Sequence, residues 1–305
     1  MILLKFYFIS QVEEMNKYVA QIKPMWKTYG CTIMCDGWTG PTKLSIINFM
    51  VYCKGKTVFL KSVDASDRIK GHTYIYTLMR NVVQSIGSKN VVQIVTDNGS
   101  NYKKAGQLLM EKYNLYWTPC AAHCIDLIFE RIADKKGVKE VINEGRMITN
   151  FIYNHSWLLA QMRAYCGGDI VRPGATRFAT NYIALDSLLK KKAGLKTLFT
   201  SDEWNEHPLN RTQIGRHVES LILNHTFWAR VTKVCGIYEP LYRLLRIIDS
   251  EVYPTLGVVY QAFQVEKEAL LSSNRNVQWV LKAIKERWDK SIDHPLLSAG
   301  IIYTL

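Results

Sequence analysis

Residues 91–100 read Val-Val-Gln-Ile-Val-Thr-Asp-Asn-Gly-Ser. The β-branched run Val91–Thr96 predicts a strand buried on both faces. Branched side chains suit a pleated surface, and a strand covered on both sides shows no polar alternation. Asp97-Asn98-Gly99-Ser100 is turn chemistry, and residues 101–112 predict a helix. A strand whose carboxyl end passes through a short polar turn into a helix is the repeating unit of an α/β sheet.

Working outward, Leu115–Thr118 predicts a short strand, and another helix starts near Cys120. On the N-terminal side, Thr73–Ile86 predicts a helix with Ile75, Leu78, Met79, Val82 and Val83 on one face. Before it come three strand-like runs, Cys31–Asp36, Ser45–Lys54 and Thr57–Asp64. Gly37 and Pro41 punctuate the first gap, and Gly55 between lysines predicts a tight turn in the second. Three strands with short links predict an antiparallel meander. Residues 11–29 predict an amphipathic helix, with Val12, Met15, Val19, Ile22 and Trp26 at helical spacing and Gly30 as its stop.

The order β-β-β-α-β-α-β-α alternates only in its second half, which predicts an α/β fold with a mixed sheet and helices on both faces. From about residue 140 onward helical patterns dominate, broken at Gly167-Gly168, Pro173-Gly174 and Pro208. The expected organisation is a helical lead-in over 1–30, a sheet-containing core over 31–150 and an all-helical domain over 151–305.

Composition narrows the partners. The 305 residues are 48% hydrophobic and 21% charged, enough to bury a real core. The net charge of +13 is spread over both halves of the chain. Such a field favours a polyanionic partner, most simply nucleic acid. Seven scattered cysteines fit reduced thiols in the cytosol or nucleus better than a disulfide framework. The apolar start is interrupted by Lys5 and lacks a cleavage site, so no signal peptide is expected. No apolar run approaches the roughly 18 residues of a membrane span.

Asp36, in Cys-Asp-Gly-Trp-Thr, and Asp97, in Thr-Asp-Asn-Gly-Ser, both fall at predicted strand ends. If the two strands are parallel neighbours, both carboxylates emerge at one sheet edge, where ligand sites of open α/β sheets lie. Paired carboxylates there are hard oxygen ligands suited to Mg²⁺ or Mn²⁺. Taken singly, Asp-Gly and Asp-Asn-Gly are also ordinary turns. Cys120-Ala-Ala-His123-Cys124 contains half of a zinc pattern. Cys31 and Cys35 are the available second half, on the strand face opposite Asp36. Arg177 and Phe178, in Pro-Gly-Ala-Thr-Arg-Phe-Ala-Thr, suit a phosphate contact and base stacking, or equally a capped helix with a core Phe. Lys190-Lys191-Lys192 reads as a solvated helix face, with a nuclear signal or phosphate contact as alternatives.

Together, Cys-Thr-Ile-Met-Cys-Asp-Gly-Trp-Thr, Thr-Asp-Asn-Gly-Ser-Asn-Tyr and Trp-Thr-Pro-Cys-Ala-Ala-His-Cys-Ile-Asp-Leu resemble the plant hAT-like DNA transposases, whose central domain is the domain of unknown function numbered 659. The resemblance runs over about residues 11–300. It implies an RNase H-like fold interrupted by a helical insertion, with Asp36 and Asp97 as the first two acids of an Asp-Asp-Glu triad. Mg²⁺ or Mn²⁺ is the implied cofactor, DNA the implied partner and the nucleus the implied location. His123 takes the place of a histidine that assists the DNA strand beside the active site. Arg177 opens the insertion, and Phe178 stands where the family usually has a base-stacking Trp. The family's N-terminal BED-type zinc finger has no counterpart before residue 31. Its third acid lies beyond the stretch that ends at Leu305, and Glu130, Glu140 and Glu144 are not singled out as substitutes. The expectation is a transposase-derived DNA-binding protein, truncated or inactive in strand transfer. The alternatives are a metal-dependent nuclease completed by another chain and a host-recruited interaction protein. A homo-oligomer is expected only with a C-terminal dimerisation segment.

Overall fold

The computed structural model describes residues 2–40, 42–172, 179–249, 256–273, 277–292 and 294–297. By Cα packing the chain forms two compact units, one of Met1–Cys124, Ser250–Gly257 and Asp289–Leu305, the other of Ile125–Asp249 and Val258–Trp288.

The first unit begins with helix α1 (Ile2–Tyr29), ended by Gly30 at a φ of 72°. Strands β1 (Cys31–Thr39), β2 (Ser45–Cys53) and β3 (Lys56–Asp64) form the expected antiparallel meander. Lys54 and Gly55 alone connect β2 to β3, with φ of 45° and 76°. Two positive φ values in a two-residue loop match the right-handed twist of the flanking strands. Helix α2 (His72–Ile86), β4 (Val91–Thr96), α3 (Ser100–Lys112) and β5 (Tyr116–Pro119) follow. The five strands are ordered β3-β2-β1-β4-β5, with β4 parallel to both β1 and β5. This is a mixed sheet of RNase H-like topology.

One sheet face carries the core of this unit. Ile33, Cys35, Phe49, Val51 and Ile94 are buried there with Met79, Val82 and Val83 of α2, Ala105 and Leu109 of α3, and Ile22 and Trp26 of α1. The first gap differs from the sequence expectation. Gly37 lies inside β1, which stays paired with β2 as far as Thr39 opposite Ser45. The reversal comes later, where the Gly40 amide donates to Leu44 O and that of Lys43 to Gly40 O. Pro41 lies outside the described residues.

Strand β4 is not buried on both faces. Val91, Ile94 and Thr96 are buried, but Val92 is 46% exposed. The cause is a register shift against β1: Cys31 pairs with Val91 and Thr32 with Gln93, so Val92 has no partner. An unpaired extra residue bends its strand and turns its side chain away. The second face is polar at this level. Thr32 Oγ1 donates to Gln93 Oε1 at 3.2 Å, and Gln93 Nε2 donates to Thr118 Oγ1 at 2.7 Å.

The second unit is helical throughout its described residues. Helix α4 (Ala121–Ala133) enters it from Ile125. Then come α5 (Lys136–Tyr153), α6 (Ser156–Cys166), α7 (Ala179–Lys190), α8 (Lys192–Leu198), α9 (Asp202–Glu206), α10 (Gln213–Leu223), α11 (His225–Ile248), α12 (Leu256–Ser273) and α13 (Gln278–Arg287). Trp204, Trp228, Phe199 and Phe227 anchor its core. Gly167, at a φ of 64°, ends α6, and Pro208 opens a 3-10 turn, so two of the expected breaks are real. The break at Pro173-Gly174 lies outside the described residues.

The lysine triplet is not one helix face. Lys191 falls between α7 and α8, and its Nζ donates to Cys166 O at 2.7 Å, satisfying a carbonyl at the end of α6. Lys190 pairs with Asp186, and Lys192 lies over the Trp228 ring. No helix among the described residues is long and apolar enough to cross a membrane.

Candidate metal and nucleic-acid site

The candidate site is set by strand register. Cys35 of β1 pairs with Thr96 of β4, and Thr96 with Pro119 of β5, all in parallel. Asp36, Asp97 and Cys120 are therefore the next residues along three neighbouring strands. The Cys120 amide continues the ladder by donating to Thr96 O at 2.6 Å. His123 lies in the first turn of α4, just past this edge. Asp36, Asp97 and His123 thus sit along one carboxyl edge of the sheet. Arg177 and Phe178 lie outside the described residues.

Asp36 is exposed and Asp97 half-buried. Asp97 Oδ1 accepts from the Gly99 amide at 2.8 Å, the Asx turn that starts α3. Neither carboxylate enters an ion pair among the described residues. Both act on the same two buried groups. Burial raises the pKa of the Cys35 thiol well above its usual range, and Asp97 and Asp36 raise it further. The Tyr102 phenol is shifted the same way by burial first, then by Cys35, Asp97 and Asp36.

A cleft of about 260 Å³ opens at this edge, lined by residues that include Gly37, Lys70, Asp97, Ser100, Asn101 and Tyr102. Asn101 Nδ2 donates to Lys70 O at 3.0 Å, tying the start of α3 to the segment before α2. Lys70 Nζ donates to Ser45 Oγ at 2.6 Å and Thr39 Oγ1 at 3.4 Å. Lys70 and Tyr102 escaped the sequence analysis. Tyr102 lies within a motif quoted above, yet nothing local marks its hydroxyl. Lys70 reaches the edge only through tertiary packing.

A divalent cation fits this donor set. Asp36, which lies inside β1 and not at its end as expected, and Asp97, just past the end of β4, offer hard oxygens at one level of adjacent strands, with no ion-pair partner among the described residues and with open space beside Asp97. No group of three His, Cys, Asp or Glu that would hold a metal occurs among the described residues. Cys31 and Cys35 are buried on the core face, while Asp36 is exposed on the other. All seven cysteines are thiols. Glu130, Glu140 and Glu144 belong to the helical unit, where Glu144 accepts two hydrogen bonds from Arg230 at 2.7 and 3.0 Å.

An α/β protein with a mixed RNase H-like sheet and two aspartates at one level of adjacent parallel strands is the class that fold and site define. Residues 3–148 match the family model described as Domain of unknown function (DUF659), so the chain carries a DUF659 domain over that span. No curated protein matches the chain.

Proposed function

We propose that this chain is a DNA-binding protein derived from a hAT-type transposase. The carboxyl edge of its sheet would receive the DNA backbone beside a divalent cation, Mg²⁺ or Mn²⁺, held by Asp36 and Asp97. The observation that carries this is the register, because Cys35 opposite Thr96 puts both carboxylates at one level of adjacent strands. The net charge of +13 supports a polyanionic partner. Lys70, in the cleft, and Lys103 and Lys104, exposed in the first turn of α3, add cations near the same edge. A cation bound there supplies Lewis acidity to a phosphodiester. Asp36 and Asp97 would hold it, and His123 would lie beside the path of the strand. Arg177 and Phe178 would add a phosphate contact and a stacking surface. A DNA partner in a plant-type transposase relative puts the protein in the nucleus.

The test is a DNA-binding titration at several salt concentrations with duplexes of unrelated sequence. Phosphate contacts release condensed counterions, so affinity should fall steeply and linearly on a log–log plot. Similar affinity across sequences is expected. Binding that ignores salt, or no binding at low salt, overturns the proposal.

A further inference from the structure

The start of α3 holds a second set of groups with a chemistry of its own. The first amides of a helix have no intrahelical acceptor. No side chain caps α3 behind Gly99, nor α2 behind Gly71. Both helices precede a parallel strand, so both N-termini point to the sheet edge that carries Asp36 and Asp97. Ile75, in the first turn of α2, and Ser100, Asn101 and Tyr102, in the first turn of α3, line the same cleft as Lys70.

The independent observation is Tyr102 Oη. Tyr102 is 7% exposed, and its hydroxyl is buried with no hydrogen-bond partner among the described residues. It lies against Gly37, which also lines the cleft: a Cβ on Gly37 would fall 2.6 Å from it. A buried hydroxyl without a partner loses hydration for nothing unless a ligand supplies an acceptor. Lys70 joins no ion pair among the described residues. With two helix N-termini, each worth roughly half a positive charge, it offsets the charges of Asp97 and Asp36, so an anion meets the donors without net repulsion.

We propose that this cleft is a phosphate subsite formed by Lys70 Nζ, the first amides of α3 and the Tyr102 hydroxyl. Amides, ammonium and phenol are all donors, which matches an oxyanion with several acceptor lone pairs. A backbone phosphate of DNA is one source and free phosphate the other; the first rests on the function proposed above.

The probes are inorganic phosphate, followed by calorimetry in chloride buffer, and a non-specific DNA duplex. The variants are Tyr102→Phe and Lys70→Gln. Each should weaken phosphate binding roughly tenfold, the loss typical of one charge-assisted hydrogen bond. Tyr102→Phe removes an oxygen that bonds to none of the described residues, so it should leave thermal stability unchanged or raised. A merely structural role would lower it. If Lys70→Gln unfolds the chain, Tyr102→Phe still decides. Weakening of both phosphate and DNA supports a subsite for a DNA phosphate. Weakening of phosphate alone supports the subsite and removes DNA as its source. Phosphate binding that is absent, or equal in wild type and Tyr102→Phe, overturns the subsite, and DNA binding that persists then leaves the proposed function standing.

Discussion

Gly37 and Tyr102 are in register across two elements: the hydroxyl of a tyrosine in α3 occupies the space a side chain at residue 37 would need, 2.6 Å from its Cβ. Gly37 is thus a glycine because of its neighbour, in the middle of a strand where the residue type weakens pairing. Gly37→Ala should lower stability by about 1–3 kcal/mol, the usual cost of overpacking. The next ring atoms, at 3.6 and 3.9 Å, are at ordinary contact distance. Tyr102→Phe should therefore rescue Gly37→Ala, with a coupling of about 1 kcal/mol or more in a double-mutant cycle of urea denaturation. Additive effects would show that the hydroxyl is not what Gly37 accommodates.

Metal binding should depend on both aspartates. Calorimetry with Mn²⁺ is expected to show weak binding by the wild type. Asp36→Asn and Asp97→Asn should each weaken it by at least about tenfold, since a unit charge at contact with a cation is worth several kcal/mol even at an effective dielectric of about 20. The two substitutions should not add, because either one dismantles the same pair. Wild-type affinity in Asp97→Asn would rule out a shared site.

Alkaline pH should destabilise the fold through its buried thiols. Burial, with a smaller push from Cys53, raises Cys31 from 9.0 to about 12. Burial, then Asp186 and Glu239, does the same to Cys235, to about 12. The folded state holds these protons more tightly, so the unfolded state loses them first as pH rises. Their stabilisation is fully present below about pH 9 and is lost between 9 and 12. Each thiol should contribute a slope approaching 1.4 kcal/mol per pH unit within that window. Urea midpoints between pH 8 and pH 10, across the start of that window, check it. Cys31→Ala with Cys235→Ala should flatten the slope while lowering stability at every pH. A midpoint that rises over this range would contradict the assigned direction.

Much of the sheet was legible in the sequence because its signals are local. Val91–Thr96 is a strand by side-chain shape, Lys54-Gly55 a two-residue turn by backbone freedom, and Asp97-Gly99 an Asx turn by reach of one carboxylate. Each depends on neighbours within a few residues, so periodicity and turn chemistry suffice. Asp97 could be picked out as a candidate for the same reason, whereas Asp36, read as a strand end, lies inside β1, which stays paired as far as Thr39.

Tertiary structure decided what depends on pairing between distant segments. Val92 is apolar and exposed because the β1–β4 register skips it, a choice made by Cys31 and Thr32, about sixty residues earlier. Gly37 looked like a turn because nothing nearby reveals Tyr102, and Lys191 looked like part of a helix because the carbonyl of Cys166 that it binds is remote in sequence. Lys70, Asn101 and Tyr102 share a cleft only because α2 and α3 both run back from the same sheet edge. The sequence by itself determined which segments pleat, coil and turn, since those preferences are set by each side chain and its near neighbours. Which donors and carboxylates share one edge was decided by the parallel pairing of β1 with β4, because only register brings residues of two separate strands to a single surface.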